Sequence, residues 1–104
     1  MDEYAWPKGL TGPEAEAIPR SWPATVAALP VGARVGGEGI GRLPFGVFIR
    51  LDGFPDAVAL AEITAMPYGL ELPALGARVD GQVFWHADNH QVRVRLDEWR
   101  TSGE

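Results

Sequence analysis

Two phenylalanines and an arginine lie close together in the middle of the chain, in a segment that otherwise alternates apolar residues. Phe45 and Phe48 enclose a glycine and a valine, and Arg50 follows two positions later. Strand alternation puts Phe48 and Arg50 on one face, and a β-bulge at Gly46 would bring Phe45 to the same side. Aromatic rings and a guanidinium on one exposed face can stack unpaired bases, at about 1–3 kcal/mol per base. The alternative is that one or both rings are buried, since phenylalanine is a common core residue.

Side chains able to hold a metal or act as a nucleophile are few. His86, Asp88 and His90 surround one predicted turn, but no further ligand accompanies them, and a solvated turn is the expected arrangement. A histidine of this turn could instead hydrogen-bond RNA. The chain has no cysteine, and its two serines, Ser21 and Ser102, belong to no nucleophile–base pattern. The sequence therefore predicts neither an enzyme nor a bound metal or other cofactor.

Length and composition favour a single globular domain. The chain has 104 residues, 46% of them hydrophobic, and a net charge of −5. An acidic chain is not expected to bind duplex nucleic acid strongly and non-specifically, because neutralisation of phosphates by basic residues drives that binding. The basic residues are nearly all arginine, which stacks on bases and grips phosphates better than lysine does.

Other sequence features bear on the compartment. No apolar run approaches the roughly 20 residues that span a bilayer, and the first residues, MDEYAWPKG, lack the basic and then apolar order of a secretory signal. The absence of cysteine suits a reducing compartment. We expect a cytoplasmic monomer without membrane contact.

The segment 1–30 predicts a helical N-terminal arm with one or two short helices. Thr11 begins a capping-box pattern for a helix that Pro19 would end. Ser21 can cap a second helix, with Pro23 in its first turn. Helical spacing gives this second helix one apolar face that would pack on the domain: Trp22, Val26 and Leu29.

From residue 31 to residue 99 the pattern changes to short strands separated by turns. Alternation predicts five strands, at 34–43, 45–51, 57–63, 79–86 and 91–96. A long connection over 64–76, with room for one helical turn, separates the third strand from the fourth. The expected fold is mainly β, a five-stranded Greek-key barrel of OB type with a short helical N-terminal arm and a C-terminal tail at 100–104. Core-facing residues are predicted on the second and fifth strands: Val47, Ile49, Leu51, Val92, Val94 and Leu96. Trp85 and Trp99 are expected to cover the flank or bottom of the barrel.

Five segments match a known pattern in order and spacing: GARVGG at 32–37, FGVFI at 45–49, ALAEIT at 59–64, GARV at 76–79 and RVRL at 93–96. Together they resemble the S-one RNA-binding domain, the repeat named from ribosomal protein S-one. The resemblance covers about two-thirds of the chain, from about Leu29 to Leu96. It implies a five-stranded OB barrel that binds single-stranded RNA.

The resemblance also implies roles for individual residues. Phe45 and Phe48 match the family's two stacking aromatics, and Arg93 matches the basic residue of its last strand. Asp88 lies near the family's aspartate before the last hairpin, and Glu62 stands where the family has a histidine. With the neighbouring arginine added, the predicted RNA-binding set is Phe45, Phe48, Arg50, Glu62, Asp88 and Arg93.

The carboxylate at Glu62 qualifies this prediction. It repels phosphate, and Asp52 and Asp56 in the adjacent turn add to the repulsion. The sequence therefore predicts single-stranded RNA binding that is weak or selective. One alternative is a protein-interaction OB domain whose acidic face docks a basic ribosomal or transcription protein. Another is a regulatory protein whose acidic surface mimics nucleic acid. Fold alone does not choose among these functions.

Overall fold

Five short strands close into a barrel in the computed structural model, which describes residues 16–99. Their order around the barrel is β1-β2-β3-β5-β4, with β4 beside β1 again. The β3–β5 pair is parallel and every other pair is antiparallel. The mainly β, OB-type barrel with a short N-terminal helix is thus confirmed. The strands are β1 (Arg34–Leu43), β2 (Gly46–Leu51), β3 (Val58–Glu62), β4 (Arg78–His86) and β5 (Val92–Leu96).

The strand bounds agree with the sequence prediction to within one residue at either end. The long connection between β3 and β4 holds the expected single turn of helix, a 3₁₀ turn at Ile63–Ala65. A second 3₁₀ turn, Asp97–Trp99, follows β5. It places the Trp99 side chain in the core, where the residue is only 1% exposed.

The core lies inside the barrel and is built from alternate residues of the strands. Every second residue of β2 and β5 is buried, as the alternation predicts, and β3 and β4 add further apolar side chains. Leu29, which follows the helix, belongs to the same cluster. The core-facing residues predicted for β2 and β5 are all confirmed: Val47, Ile49, Leu51, Val92, Val94 and Leu96.

Glycine in β1 permits the close strand approach that barrel closure requires. A Cβ atom on Gly37 would overlap the carbonyl oxygen of Arg50 on β2. The register between β1 and β2 shifts between Gly39 and Gly41, which is the bulge of this strand pair. The bulge predicted at Gly46 is wrong, because Gly46 pairs in register with Leu43 on one side and Glu62 on the other.

Between residue 16 and the barrel, the structure has one helix, α1 (Ala17–Ala28). The prediction that Pro19 separates two helices is wrong within the described residues. Pro19 occupies the first turn, where a backbone N–H has no acceptor within the helix, so its missing N–H costs nothing there. Pro23 lies inside the helix instead of in a first turn. The predicted start at Thr11 lies outside the described residues.

Of the apolar face predicted for this helix, Trp22 and Leu29 pack at the barrel core, and Leu29 lies just after the end of α1. Trp22 packs against the core cluster, and Ile18 packs against a second cluster on the outer surface of β2 and β3. Ser21 does not cap a helix; its hydroxyl donates a hydrogen bond to the Asp56 carboxylate, 3.0 Å away. Among the described residues, no helix combines the length and apolar character needed to span a membrane.

Candidate nucleic-acid interface

Three of the predicted RNA-binding residues meet on the outer surface of the barrel. Phe48 of β2 pairs with Leu60 of β3, and Leu60 in turn pairs with Arg93 of β5. Glu62 is the next residue of β3 after Leu60 that points outward, and it pairs with Gly46 of β2. Residues distant in the sequence therefore form one continuous row across three strands, because paired residues point to the same side of a sheet.

The Phe48 ring is fully buried, with 0% of its surface exposed. It lies in an outer-surface cluster with Val58 and Leu60, and Ile18 of α1 packs against that cluster. The expectation that Phe48 presents an open stacking face is therefore wrong for this structure. Alternation correctly put its side chain on the side opposite the core, but apolar residues on that side form a second buried cluster.

Phe45 stays partly accessible beside the buried ring. It is half-buried, and the Phe45 and Phe48 rings form a T-shaped contact with centroids 6.1 Å apart and planes at 87°. Such edge-to-face contacts are a preferred aromatic geometry. Phe48 thus fixes the orientation of Phe45, the one of the two rings that solvent can reach.

The arginines of the predicted set are engaged with carboxylates. Arg93 donates to Glu62 in an ion pair whose side chains are only 11% and 22% exposed. Arg50 donates to Glu38 across the β1–β2 pair, at 2.9 Å. Glu62, which departs from the family's histidine, is thus neutralised by the neighbouring Arg93 and does not present an isolated negative charge.

A third pair neutralises the turn after β2. Two guanidinium nitrogens of Arg78 donate to the two carboxylate oxygens of Asp52. These hydrogen bonds hold the pKa of the Asp52 carboxyl below its ordinary value and raise the pKa of the Arg78 guanidinium. The negative charge of Asp52 is therefore paired with Arg78 and repels an approaching ligand less.

The turn between β4 and β5 lies at the α1 side of the barrel. Asp88 is exposed at its tip, while Nε2 of His86 lies 2.6 Å from the carbonyl oxygen of Leu29. Trp22 makes T-shaped contacts with the rings of His86 and His90. Within residues 16–99, no three acidic or histidine side chains are grouped closely enough to hold a metal.

A pair of exposed aromatics on β4 was missed by the sequence prediction. Phe84 is 43% exposed and Trp85 is 59% exposed, so the expectation that Trp85 covers the barrel flank is wrong. The register with β5 shifts between Val83 and Trp85, which leaves Phe84 as the extra residue of a bulge. A bulge cannot be read from alternation, and the only available signal was the adjacency of two aromatics at a strand end.

Comparison with known proteins supports the fold. Neither a protein-family model nor a curated protein sequence matches the chain. Solved structures do match, among them the solution structure of GSP13 from Bacillus subtilis, with a TM-score of 0.57 and 20% identity over 73% of this chain. The chain spans 62% of the length of GSP13. At this sequence identity the similarity supports the OB-type barrel fold alone. The function has to be argued from the residues of the site.

Proposed function

We propose that this chain is a non-catalytic module of the S-one type that binds single-stranded RNA. The observation that carries the proposal is the row across β2, β3 and β5, in which an aromatic pair, Glu62 and Arg93 share the outer surface of a closed OB-type barrel. Phe45 offers the accessible ring for base stacking, and Phe48 supports it from below. Arg93 is the cation within this row.

Charge pairing explains how an acidic chain can accept a polyanion here. Two of the three carboxylates expected to repel phosphate, Glu62 and Asp52, are matched by an arginine, and the third, Asp56, accepts a hydrogen bond from Ser21. Pairing therefore removes much of the local negative charge. Because little counterion release accompanies binding to such a surface, affinity should come mainly from stacking and should be weak.

A titration with RNA tests the proposal. Intrinsic tryptophan fluorescence of the full chain is followed against oligouridylate and oligoadenylate of about ten nucleotides, in about 50 mM and about 200 mM salt. We expect saturable binding that weakens only about 3- to 7-fold between the two salts, as for one or two neutralised phosphates. No saturable signal at several hundred micromolar RNA would contradict the proposed function.

A matched pair of variants locates the binding face. Phe45→Ala removes the accessible ring and should weaken RNA binding about 5-fold or more. Leu43→Ala removes a half-buried aliphatic side chain that packs on the same cluster and should leave the affinity within about twofold. Equal losses in both variants would mean that packing, and not stacking, is measured.

The alternative of an acidic face that docks a basic protein loses its main support. Its acidic residues are bonded within the chain: Glu62 to Arg93, Asp52 to Arg78, and Asp56 to Ser21. A basic partner would have to displace Arg93 and Arg78 from two of these three carboxylates. The described surface therefore favours RNA over a basic partner.

A further inference from the structure

The bulge in β4 turns two consecutive aromatic side chains toward solvent. In a regular strand, neighbouring residues point to opposite faces, so one of Phe84 and Trp85 would enter the core. The extra residue between Val83 and Trp85 removes this alternation. Val83 is buried at 1% exposure, while both aromatics are more than 40% exposed. Two adjacent exposed rings are uncommon on a soluble protein, and such apolar patches mark binding surfaces.

Arginines on the neighbouring strand complete this surface. Val92, Val94 and Leu96 of β5 face the core, so Arg93 and Arg95 between them face outward. Arg93 pairs directly with Trp85 across the strands. Arg95 lies beside Phe84, and the two side chains line an open cleft of about 260 Å³ together with Ala65.

The size of this cleft limits what it can hold. Sites for whole small-molecule ligands and cofactors usually enclose about 300–1,000 Å³ and bury most of the ligand. The Phe84–Arg95 cleft is smaller and open on one side. A single flat ring resting between an aromatic and a guanidinium suits such a space, since arginine and phenylalanine both stack on bases.

We propose that Phe84, Trp85 and Arg95 form a second base-stacking surface for single-stranded RNA, on β4 and β5. The inference rests on the proposed function and extends its site beyond the row that ends at Arg93. Trp85 is the next position of that row, since Phe48, Leu60, Arg93 and Trp85 are successive partners across four strands. An RNA strand bound at Phe45 can therefore continue across Arg93 to Trp85, with the next base in the cleft at Phe84.

Backbone pairing leaves little room for an added peptide strand at this surface. β4 is paired with β5 from Gly81 to His86, and its pairing with β1 runs from Arg78 to Gln82, with Val83 bonded to Gly32 and Ala33. At most the three residues Phe84–His86 could therefore accept a peptide on the β1 side, so recognition here is expected mainly through side chains. Aromatic rings with flanking arginine side chains, whose planar guanidinium groups can stack on bases, are the groups that single-stranded RNA binds.

Fluorescence anisotropy of labelled oligouridylate and oligoadenylate of about ten nucleotides tests this inference. The full chain is compared with Trp85→Ala and Phe84→Ala, and with Tyr68→Ala as a control that removes a fully exposed ring from the β3–β4 connection. We expect Trp85→Ala and Phe84→Ala each to raise Kd about 5- to 150-fold, and Tyr68→Ala to leave it within about twofold. Trp85→Phe keeps a stacking ring and should retain most of the affinity, while it removes much of the RNA-induced quenching of tryptophan fluorescence.

The outcomes separate this inference from the function on which it rests. If the parent chain binds RNA and Trp85→Ala and Phe84→Ala bind as well as Tyr68→Ala, the second surface is refuted and the RNA-binding function stands. If the parent chain binds no RNA, the proposed function itself fails. Thermal unfolding shows whether each variant folds. If Phe84→Ala does not fold, the test relies on Trp85→Ala, because the Trp85 side chain is exposed to solvent. A parent chain that dimerises by sedimentation, with the dimer lost in Trp85→Ala and RNA affinity unchanged, would assign the surface to a second copy and overturn the inference.

Discussion

Phe48 and Trp85 occupy the same row of the barrel surface, yet their environments differ completely. Phe48 is 0% exposed and lies in an apolar cluster with Val58 and Leu60, whereas Trp85 is 59% exposed. The two side chains should therefore respond oppositely to truncation. A change at Phe48 should affect stability, and a change at Trp85 should affect binding.

The buried ring predicts a large loss of stability. Phe48→Ala should lower the free energy of unfolding by about 3–5 kcal/mol, because it leaves a cavity in the cluster that Phe48 forms with Val58 and Leu60. Urea denaturation followed by circular dichroism measures the change. The same substitution at the exposed Phe84 is the matched control and should cost about 1 kcal/mol or less. Similar losses at both positions would contradict the burial difference between them.

At the scale of the elements, β1 depends on close backbone approach. Gly37 and Gly39 are both buried glycines of this strand, but a Cβ would meet different surroundings at each. At Gly37 it would overlap the carbonyl oxygen of Arg50, whereas at Gly39 its nearest neighbour would be the carbonyl oxygen of Ala74, 3.3 Å away. Only the first position forbids a side chain outright.

This difference gives a paired prediction. Gly37→Ala should destabilise the barrel by about 3 kcal/mol or more, since backbone of β2 has to move away from β1. Gly39→Ala should cost about 1 kcal/mol or less. The denaturation midpoints of the two variants provide the measurement. A Gly37→Ala variant as stable as Gly39→Ala would show that β1 and β2 can separate slightly without loss of pairing.

At the scale of the whole molecule, ion pairs connect the strands around the barrel. Arg34 of β1 bonds Asp97 after β5, Arg50 bonds Glu38, Arg78 bonds Asp52, and Arg93 bonds Glu62. Each arginine therefore reaches a carboxylate on a different strand or on the turn after it. Exposed pairs of this kind contribute little individually, but together they lower the charge that the surface shows to a ligand.

The exposed Arg78–Asp52 pair predicts a specific dependence of stability on pH. The hydrogen bonds from Arg78 lower the pKa of Asp52 in the folded chain, so their contribution is full above the unfolded pKa of about 3.9 and is lost as pH falls through the lower folded pKa. Asp52→Asn should therefore reduce stability slightly near neutral pH, and the difference from the parent should vanish in strong acid. Urea denaturation over a pH series measures it.

The Arg78→Gln variant serves as the control for this prediction. It removes the same pair from the other side and should show the same dependence on pH. The double variant should lose no more than either single variant, because only one interaction is removed. If the difference in unfolding free energy between the parent and Asp52→Asn grew as pH fell, the prediction would be contradicted.

The fold was accessible from the sequence because its signals are local. Alternation in 91–96 and in 45–51 sets which residues face the core, and Pro- and Gly-rich turns divide the strands. The site was harder to predict, because alternation shows which face of the sheet a side chain lies on but not which residues cover that face. The burial of Phe48 depends on residues from several parts of the chain, such as Ile18, Val58 and Leu60. The exposure of Trp85 depends on a bulge, and neither is a local property of the sequence.

The pairing of β1 with β4 has a consequence for how the chain folds. The turns between β1, β2 and β3 are short, so these strands can pair early, but the barrel closes only when Arg34 meets Gln82 and β3 meets β5. Contacts between such distant residues form slowly, because the chain entropy of a long loop must be lost first. We therefore expect closure to limit the folding rate. During synthesis, the apolar side of the meander formed by β1, β2 and β3 therefore stays exposed until β4 and β5 emerge from the ribosome.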